Sequence, residues 1–217
     1  MSLAILPAVL LLVLLLAFGG SLAPEPEAPA PVPPPAQTQA DEYTRYELLA
    51  PETAQFRIVY DVTATAAGAR YYFNPIRKGS EASRESVTER ASGEPLPFQV
   101  VSGAEARKTG LPDASLDTEY IRVTLARPVP AGGQARLRID KTYKDSASYF
   151  REGGAIVFQR SLGIRRNTVV LPPGYEVIGC NVPSQILTEA DGRISVSFMN
   201  SNPDPASLKL AARKLSP

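Results

Sequence analysis

The chain has 217 residues, 23 Lys and Arg against 22 Asp and Glu, one cysteine, no tryptophan and no histidine. A net charge of +1 with both signs interspersed leaves no electrostatic footprint for nucleic acid or for an anionic membrane surface. Without histidine there is no Ser-His-Asp or Cys-His triad and no His-Glu-x-x-His zinc site, and the lone Cys180 excludes an intramolecular disulfide.

Residues 3–18 form a nearly unbroken apolar run without charge, followed by Gly19-Gly20-Ser21-Leu22-Ala23 and a proline-rich tract from Pro24 to Pro35. Two readings of the run stand side by side. Small residues at Ser21 and Ala23 suit a signal peptide cleaved after Ala23. An uncleaved anchor is favoured by the missing Lys or Arg ahead of the run, by Pro24 just past the scissile bond, and by an apolar span of roughly 20 residues, enough to cross a bilayer. Either way the remainder is expected outside the cytoplasm, periplasmic or secreted, and no nearby cysteine offers a lipid tether. Proline fixes φ and lacks an N–H, so residues 24–40 are expected to be a disordered, extended spacer of about 50 Å. The organisation predicted is a signal or anchor over 1–23, a spacer over 24–40 and one domain over 41–217.

A helix is considered only over 41–49 and, more weakly, over 80–84. From residue 54 on the dominant period is two. Phe56, Ile58, Tyr60 and Val62 alternate with Arg57, Val59, Asp61 and Thr63, and period two recurs at Ile121, Val123 and Leu125, then at Ala135, Leu137 and Ile139, then at Ile194, Val196 and Phe198. That is the pattern of half-buried strands with one wet face. Residues 103–117 lack periodicity and are expected to be a surface loop. Asp191-Gly192 between two strand-like runs is the strongest hairpin signal. About ten strands punctuated by Gly- and Pro-rich turns predict an all-β domain, a single antiparallel β-sandwich.

Several clusters could carry chemistry, each with a plainer alternative. Tyr71-Tyr72-Phe73-Asn74-Pro75-Ile76-Arg77 is the densest aromatic stretch. It is either an aromatic platform on which Tyr72, Asn74 and Arg77 meet a glycan or peptide, or a strand feeding core on both faces. Arg160, Arg165 and Arg166 could grip a carboxylate or phosphate, or form salt-bridged surface. The stretch 141–151 reads as a polar loop; Ser146 or Ser148 with Lys144 touches on Ser/Lys hydrolase chemistry but lacks the Ser-x-x-Lys spacing. Cys180 ends an apolar run and reads as a small buried hydrophobe. The scattered carboxylates show neither a glycosidase pair nor a calcium loop.

The order of 56–65, Gly93-Glu94-Pro95-Leu96-Pro97-Phe98, 120–125, Pro128-Val129-Pro130-Ala131-Gly132-Gly133 and 136–140 resembles the N-terminal β-sandwich domain of the aminopeptidase N family. The likeness covers about ninety residues of strand-and-turn pattern and implies a fold. In that family the zinc motif and the catalytic glutamate lie in a following domain, so no catalytic residue carries over. Tyr72-Phe73-Asn74-Pro75-Ile76-Arg77 and the stretch 166–176 also resemble exported bacterial β-rich proteins without an assigned activity, which implies a bacterial envelope setting. The expectation is a non-catalytic module, free of metal and cofactor, that binds an envelope protein or glycan; the alternative is a metal-free hydrolase using carboxylates or a Ser/Lys pair.

Overall fold

The structure, a computed structural model, describes residues 35–216; the signal or anchor segment and most of the spacer lie outside the described residues. In chain order the strands are β1 (Gln39–Leu48), β2 (Gln55–Ala64), β3 (Tyr71–Pro75), β4 (Glu81–Glu89), β5 (Phe98–Ser102), β6 (Glu119–Thr124), β7 (Ala135–Lys144), β8 (Tyr149–Glu152), β9 (Ala155–Leu162), β10 (Arg166–Val170), β11 (Tyr175–Cys180), β12 (Gln185–Thr188), β13 (Ile194–Met199) and β14 (Ala206–Lys214). One helix, α1 (Gly103–Thr109), follows β5.

The domain is mostly β, built from one seven-stranded sheet (β12-β13-β10-β1-β2-β7-β4) and two smaller ones, four-stranded (β11-β14-β9-β8) and three-stranded (β3-β6-β5). This differs from one antiparallel sandwich of about ten strands in count and in direction. The short strands β3, β5, β8 and β12 are too brief to display a period, and β10 pairs with β1 in parallel. β1 already has β2 on one edge, so β10, returning from the four-stranded sheet, docks on the edge left open.

Alternation decides how the layers stack. In β2, Phe56 and Ile58 face one apolar cluster, and Tyr60, Val62 and Ala64, on the same face further along, enter a second. In β7, Tyr143 belongs to the first cluster, Leu137 and Ile139 to the second. One face of the large sheet is therefore covered side by side by the two smaller sheets, each over its own core. The first core centres on Phe56, whose ring meets Phe158 at 5.2 Å and Tyr143 at 6.1 Å, both edge to face. Ile76 packs against both clusters and marks the seam between the two covering sheets. The opposite face of the large sheet is wet and carries a charge ladder, with Arg57 on Asp140, Arg138 on Asp61 and Arg45 on Glu189.

Both helix expectations give way to strands. In β1, Thr44, Tyr46 and Leu48 are buried in period two, and a bulge with Asp41 at φ 52° breaks the alternation before them. In β4 a similar irregularity with Arg84 at φ 55° hides the period. Gln37 ties back to β3, its Nε2 donating to the Phe73 carbonyl and its Oε1 accepting from the Phe73 N–H, so the fold includes residues 37–40, which the sequence reading gives to the spacer. The β12–β13 hairpin forms around Asp191-Gly192, with Gly192 at φ 82°.

Residues 103–117, expected to be a loop, contain α1. Ser102 caps it, its hydroxyl accepting from the Glu105 N–H at 3.3 Å, in the Ser-x-x-Glu pattern of a helix start. The helix covers the outer side of the three-stranded sheet over Phe73, Val101 and Tyr120. At Gly103 an added Cβ would fall 1.9 Å from the Ser115 carbonyl oxygen, a backbone atom that cannot swing away. Gly103→Ala is expected to cost about 1–3 kcal/mol, read as a lower urea midpoint with an unchanged slope.

Candidate functional site

Where β7 crosses the seam, its inward positions read Leu137, Ile139, Lys141 and Tyr143. Leu137 and Ile139 fill one core and Tyr143 the other, so Lys141 is delivered to the gap between the covering sheets. It is only 4 % exposed. Its Nζ donates to Asn74 Oδ1 at 2.5 Å and lies 4.9 Å from the centre of the Tyr143 ring. Among the described residues no carboxylate comes within ion-pair distance of it. Burial, and next the Arg160 charge, push the Lys141 ammonium down from 10.5 to about 7, with Glu85 opposing.

Around Lys141 opens a pocket of about 260 Å³. Tyr60 and Tyr72 contribute hydroxyls 3.1 Å apart; Tyr60 donates to Glu42 Oε1 and Tyr72 to Gln39 Oε1. Burial holds both phenols above their usual range, and Tyr143 likewise, so all three stay neutral. Arg77 and Arg160 form the far wall and also border a second, larger cleft of about 560 Å³. That cleft lies over β9 and β14, edged by Lys78, Gln159, Asn181 and Lys209. Arg77 spans the boundary: its Nη1 donates to the Ser161 carbonyl at 3.0 Å and its N–H to the Tyr143 hydroxyl at 3.1 Å.

The charges around the two spaces are not all balanced within the fold. Arg160 is 6 % exposed and pairs with Asp145 at 3.0 Å. Asp145 Oδ1 accepts from the N–H groups of Ala147 and Ser148, and Oδ2 from the hydroxyls of Ser80 and Ser148. Burial alone would raise its carboxyl, but those donors and Arg160 outweigh it and hold it below the usual range. Lys78 meets Asp117 and Lys209 meets Glu152 at the surface. Arg77 and Lys141 have no carboxylate partner among the described residues.

Of the six residues singled out from sequence, Tyr72, Asn74, Arg77 and Arg160 line the same seam pocket. Tyr72 faces inward to the core while Tyr71 and Phe73 share the opposite face of β3. Arg165 and Arg166 stand apart: both are exposed, the Arg165 carbonyl accepts from the Asn200 N–H, and Arg166 Nε donates to the Glu42 carbonyl. Lys141, Tyr143 and Asp145 were grouped with a polar loop, yet β7 runs to Lys144 and Tyr143 is core. The signal was present, since the alternation of 135, 137 and 139 continues through 141 and 143. Cys180 is half-buried at the end of β11, with Sγ 3.4 Å from the Val182 carbonyl.

Among the described residues no group of three His, Cys, Asp or Glu is placed to hold a metal ion, and no helix is long and apolar enough to cross a membrane. No family model and no curated protein matches the sequence. Solved structures do share the fold. A two-domain M1 zinc metallopeptidase, a point mutant bound to L-tryptophan, matches 82 % of this chain and 43 % of its own with a TM-score of 0.51 at 13 % identity. The M1 zinc metallopeptidase from Deinococcus radiodurans matches 82 % of this chain and 42 % of its own with a TM-score of 0.51 at 13 % identity. The chain thus spans less than half the length of these peptidases, and the likeness extends to the arrangement of strands.

Proposed function

We propose that this chain is an exported, non-catalytic β-sandwich module of the bacterial envelope that binds an envelope protein or glycan through the paired clefts at the seam. The observation that carries the reading is Lys141, buried on a pocket it shares with the exposed Arg77, with no carboxylate among the described residues within ion-pair distance of either. A cation buried without a partner is unfavourable in the free protein and gains when a ligand supplies the missing charge. Export is supported by the apolar run at 3–18 and the spacer after it, whether the chain is released after Ala23 or held in the inner membrane. Mass determination of the mature N-terminus separates the two: Met1 means anchored, Pro24 means released.

The hydrolase alternative has less support. Among the described residues Asp145 is the only carboxylate on the larger cleft and Glu42 the only one on the seam pocket, so these residues supply neither with an acid–base pair. The Ser148 hydroxyl donates to Asp145 and accepts from Arg160, and a carboxylate paired with Arg160 and held below its usual range is a poor base for the serine proton.

The test uses the full chain, tagged and recovered from its envelope with bound material. Arg77→Ala is expected to cut retention of that material by about tenfold, while Arg165→Ala, outside the clefts, leaves it unchanged. Equal retention by both variants, or substrate turnover that disappears with Ser148→Ala, would refute the binding reading.

A further inference from the structure

We infer that the seam pocket is a subsite for a single carboxylate carried on a small, largely apolar or aromatic body. The inference deepens the binding reading and rests on it, by naming the chemical class that enters beside Lys141.

The ligand's charge follows from the walls. An ammonium has three donors, and Lys141 uses one on Asn74. The Tyr143 ring covers another side of it, leaving the remaining donors to the pocket. Among the described residues Arg160 hydrogen-bonds through Nη1 alone, to Asp145 and Ser148, and its charge is cancelled by Asp145. Arg77 adds one positive charge and Glu42, on the pocket's wall, one negative charge. With Lys141 the pocket therefore carries one net positive charge, which suits a monoanion; a phosphate dianion would leave a charge unmatched next to Glu42.

The body follows from the remaining lining. Tyr46, Ile58, Tyr60, Tyr72 and Tyr143 present rings and aliphatic surface with only a few polar points. A space of about 260 Å³ accepts one ring or a short side chain, and no more. A planar carboxylate there lies between two donor groups of different shape, the ammonium of Lys141 and the guanidinium of Arg77.

Lys141 also sets a pH dependence. The charged and titratable groups facing it are Tyr143 on its own strand, Arg160 on β9, Arg77 after β3, Tyr72 on β3, Tyr60 on β2, Glu42 and Tyr46 on β1, and Glu85 on β4. The tyrosines are held neutral by burial, so between the carboxylate range and the tyrosine range Lys141 is the group that changes. An anion draws the proton onto Lys141. Affinity is therefore level below pH 7 and falls above it as the free amine loses its proton.

The test titrates para-fluorobenzoate and its neutral amide, para-fluorobenzamide, into the full chain and follows the fluorine resonance. The acid is expected to bind with a Kd at or below about 1 mM and the amide at least tenfold more weakly. Lys141→Met is expected to raise the Kd of the acid about tenfold or more. Wild-type affinity should drop by about tenfold per pH unit above 7, and Lys141→Arg, which keeps the charge at all these pH values, should remove that slope. Thermal melts accompany each variant; if Lys141→Arg does not fold, the Lys141→Met titration and the wild-type pH profile decide. Equal affinity for acid and amide, an acid Kd unmoved by Lys141→Met, or a pH-independent wild-type Kd would overturn the inference. Failure here with the Arg77→Ala effect on envelope retention intact removes the ligand class alone; loss of both removes the binding reading with it.

Discussion

Asp145→Ala is expected to destabilise the domain by about 3–5 kcal/mol, because it strands the buried Arg160 charge without its counter-ion. Asp145 is the point where the end of β7, the turn into β8 and the loop before β4 are tied together: its carboxylate accepts from Arg160, Ser80, Ser148 and two backbone N–H groups. Removing it leaves those donors unsatisfied as well. In a domain of this size the loss amounts to a fall in Tm of roughly 10 °C. Asp145→Ala combined with Arg160→Met removes both charges and is expected to recover the part of the loss owed to the stranded guanidinium, which lies over the Phe56 and Tyr143 rings that Met can cover. The part owed to the Ser80, Ser148 and backbone donors is not recovered. The carboxyl titrates below its usual range, so its contribution is full above pH 3.8 and is lost as pH falls through its lower, folded-state value. The gap between wild type and Asp145→Ala should therefore close in acid. A loss within about 1 kcal/mol at neutral pH would mean that Arg160 is already solvated.

Lys141→Met should act in the opposite direction. The ammonium titrates near 7 in the folded chain and near 10.5 when exposed, so between those values the unfolded chain binds more protons and wild-type stability rises with pH. Below pH 7 the folded protein holds a buried charge at a cost that Met, of similar length and apolar, does not incur. The variant is expected to be more stable than wild type by about 1–4 kcal/mol near pH 6, with the difference shrinking steadily as pH rises above 7. The comparison stops short of pH 10, where the buried tyrosines ionise first in the unfolded chain and stability falls for both proteins. Denaturant melts at a series of pH values give the difference directly. A lysine that weakens its own fold is what a binding residue looks like when selection keeps it for something other than stability.

The strands with a dry side and a wet side were legible because one face of each is exposed, so β2, β6, β7 and β13 announce themselves by alternation. The elements that were not legible fail for separate physical reasons. Bulges at Asp41 and Arg84 shift the phase of β1 and β4, and a period with a skipped residue does not read as a period. The helix after Ser102 is a single capped segment of 7 residues, whose cue was the Ser-x-x-Glu spacing and not hydrophobicity. Lys141 was hidden by its own chemistry. A lysine following Asp140 looks like the start of a loop, and only carrying the phase from Ile139 to Tyr143 places it inside. The seam itself was beyond any local signal. It exists because the three-stranded and four-stranded sheets meet over the large one, and that meeting depends on pairings far apart in sequence, such as Tyr43 opposite Arg166. Tyr72, Asn74, Arg77 and Arg160 could be chosen individually from sequence, but their convergence could not.

The paired clefts at the seam are where the proposal has this protein meet its envelope ligand. The most direct measurement places a photoreactive amino acid in the full chain at position 78, on the rim of the larger cleft, and separately at position 186, exposed on the edge strand β12 away from it. After irradiation in the intact envelope, adducts are identified by mass spectrometry. An adduct is expected at position 78 that disappears with Arg77→Ala, and none at 186. Adducts at 186 with none at 78, or adducts at 78 indifferent to Arg77, would contradict the proposal.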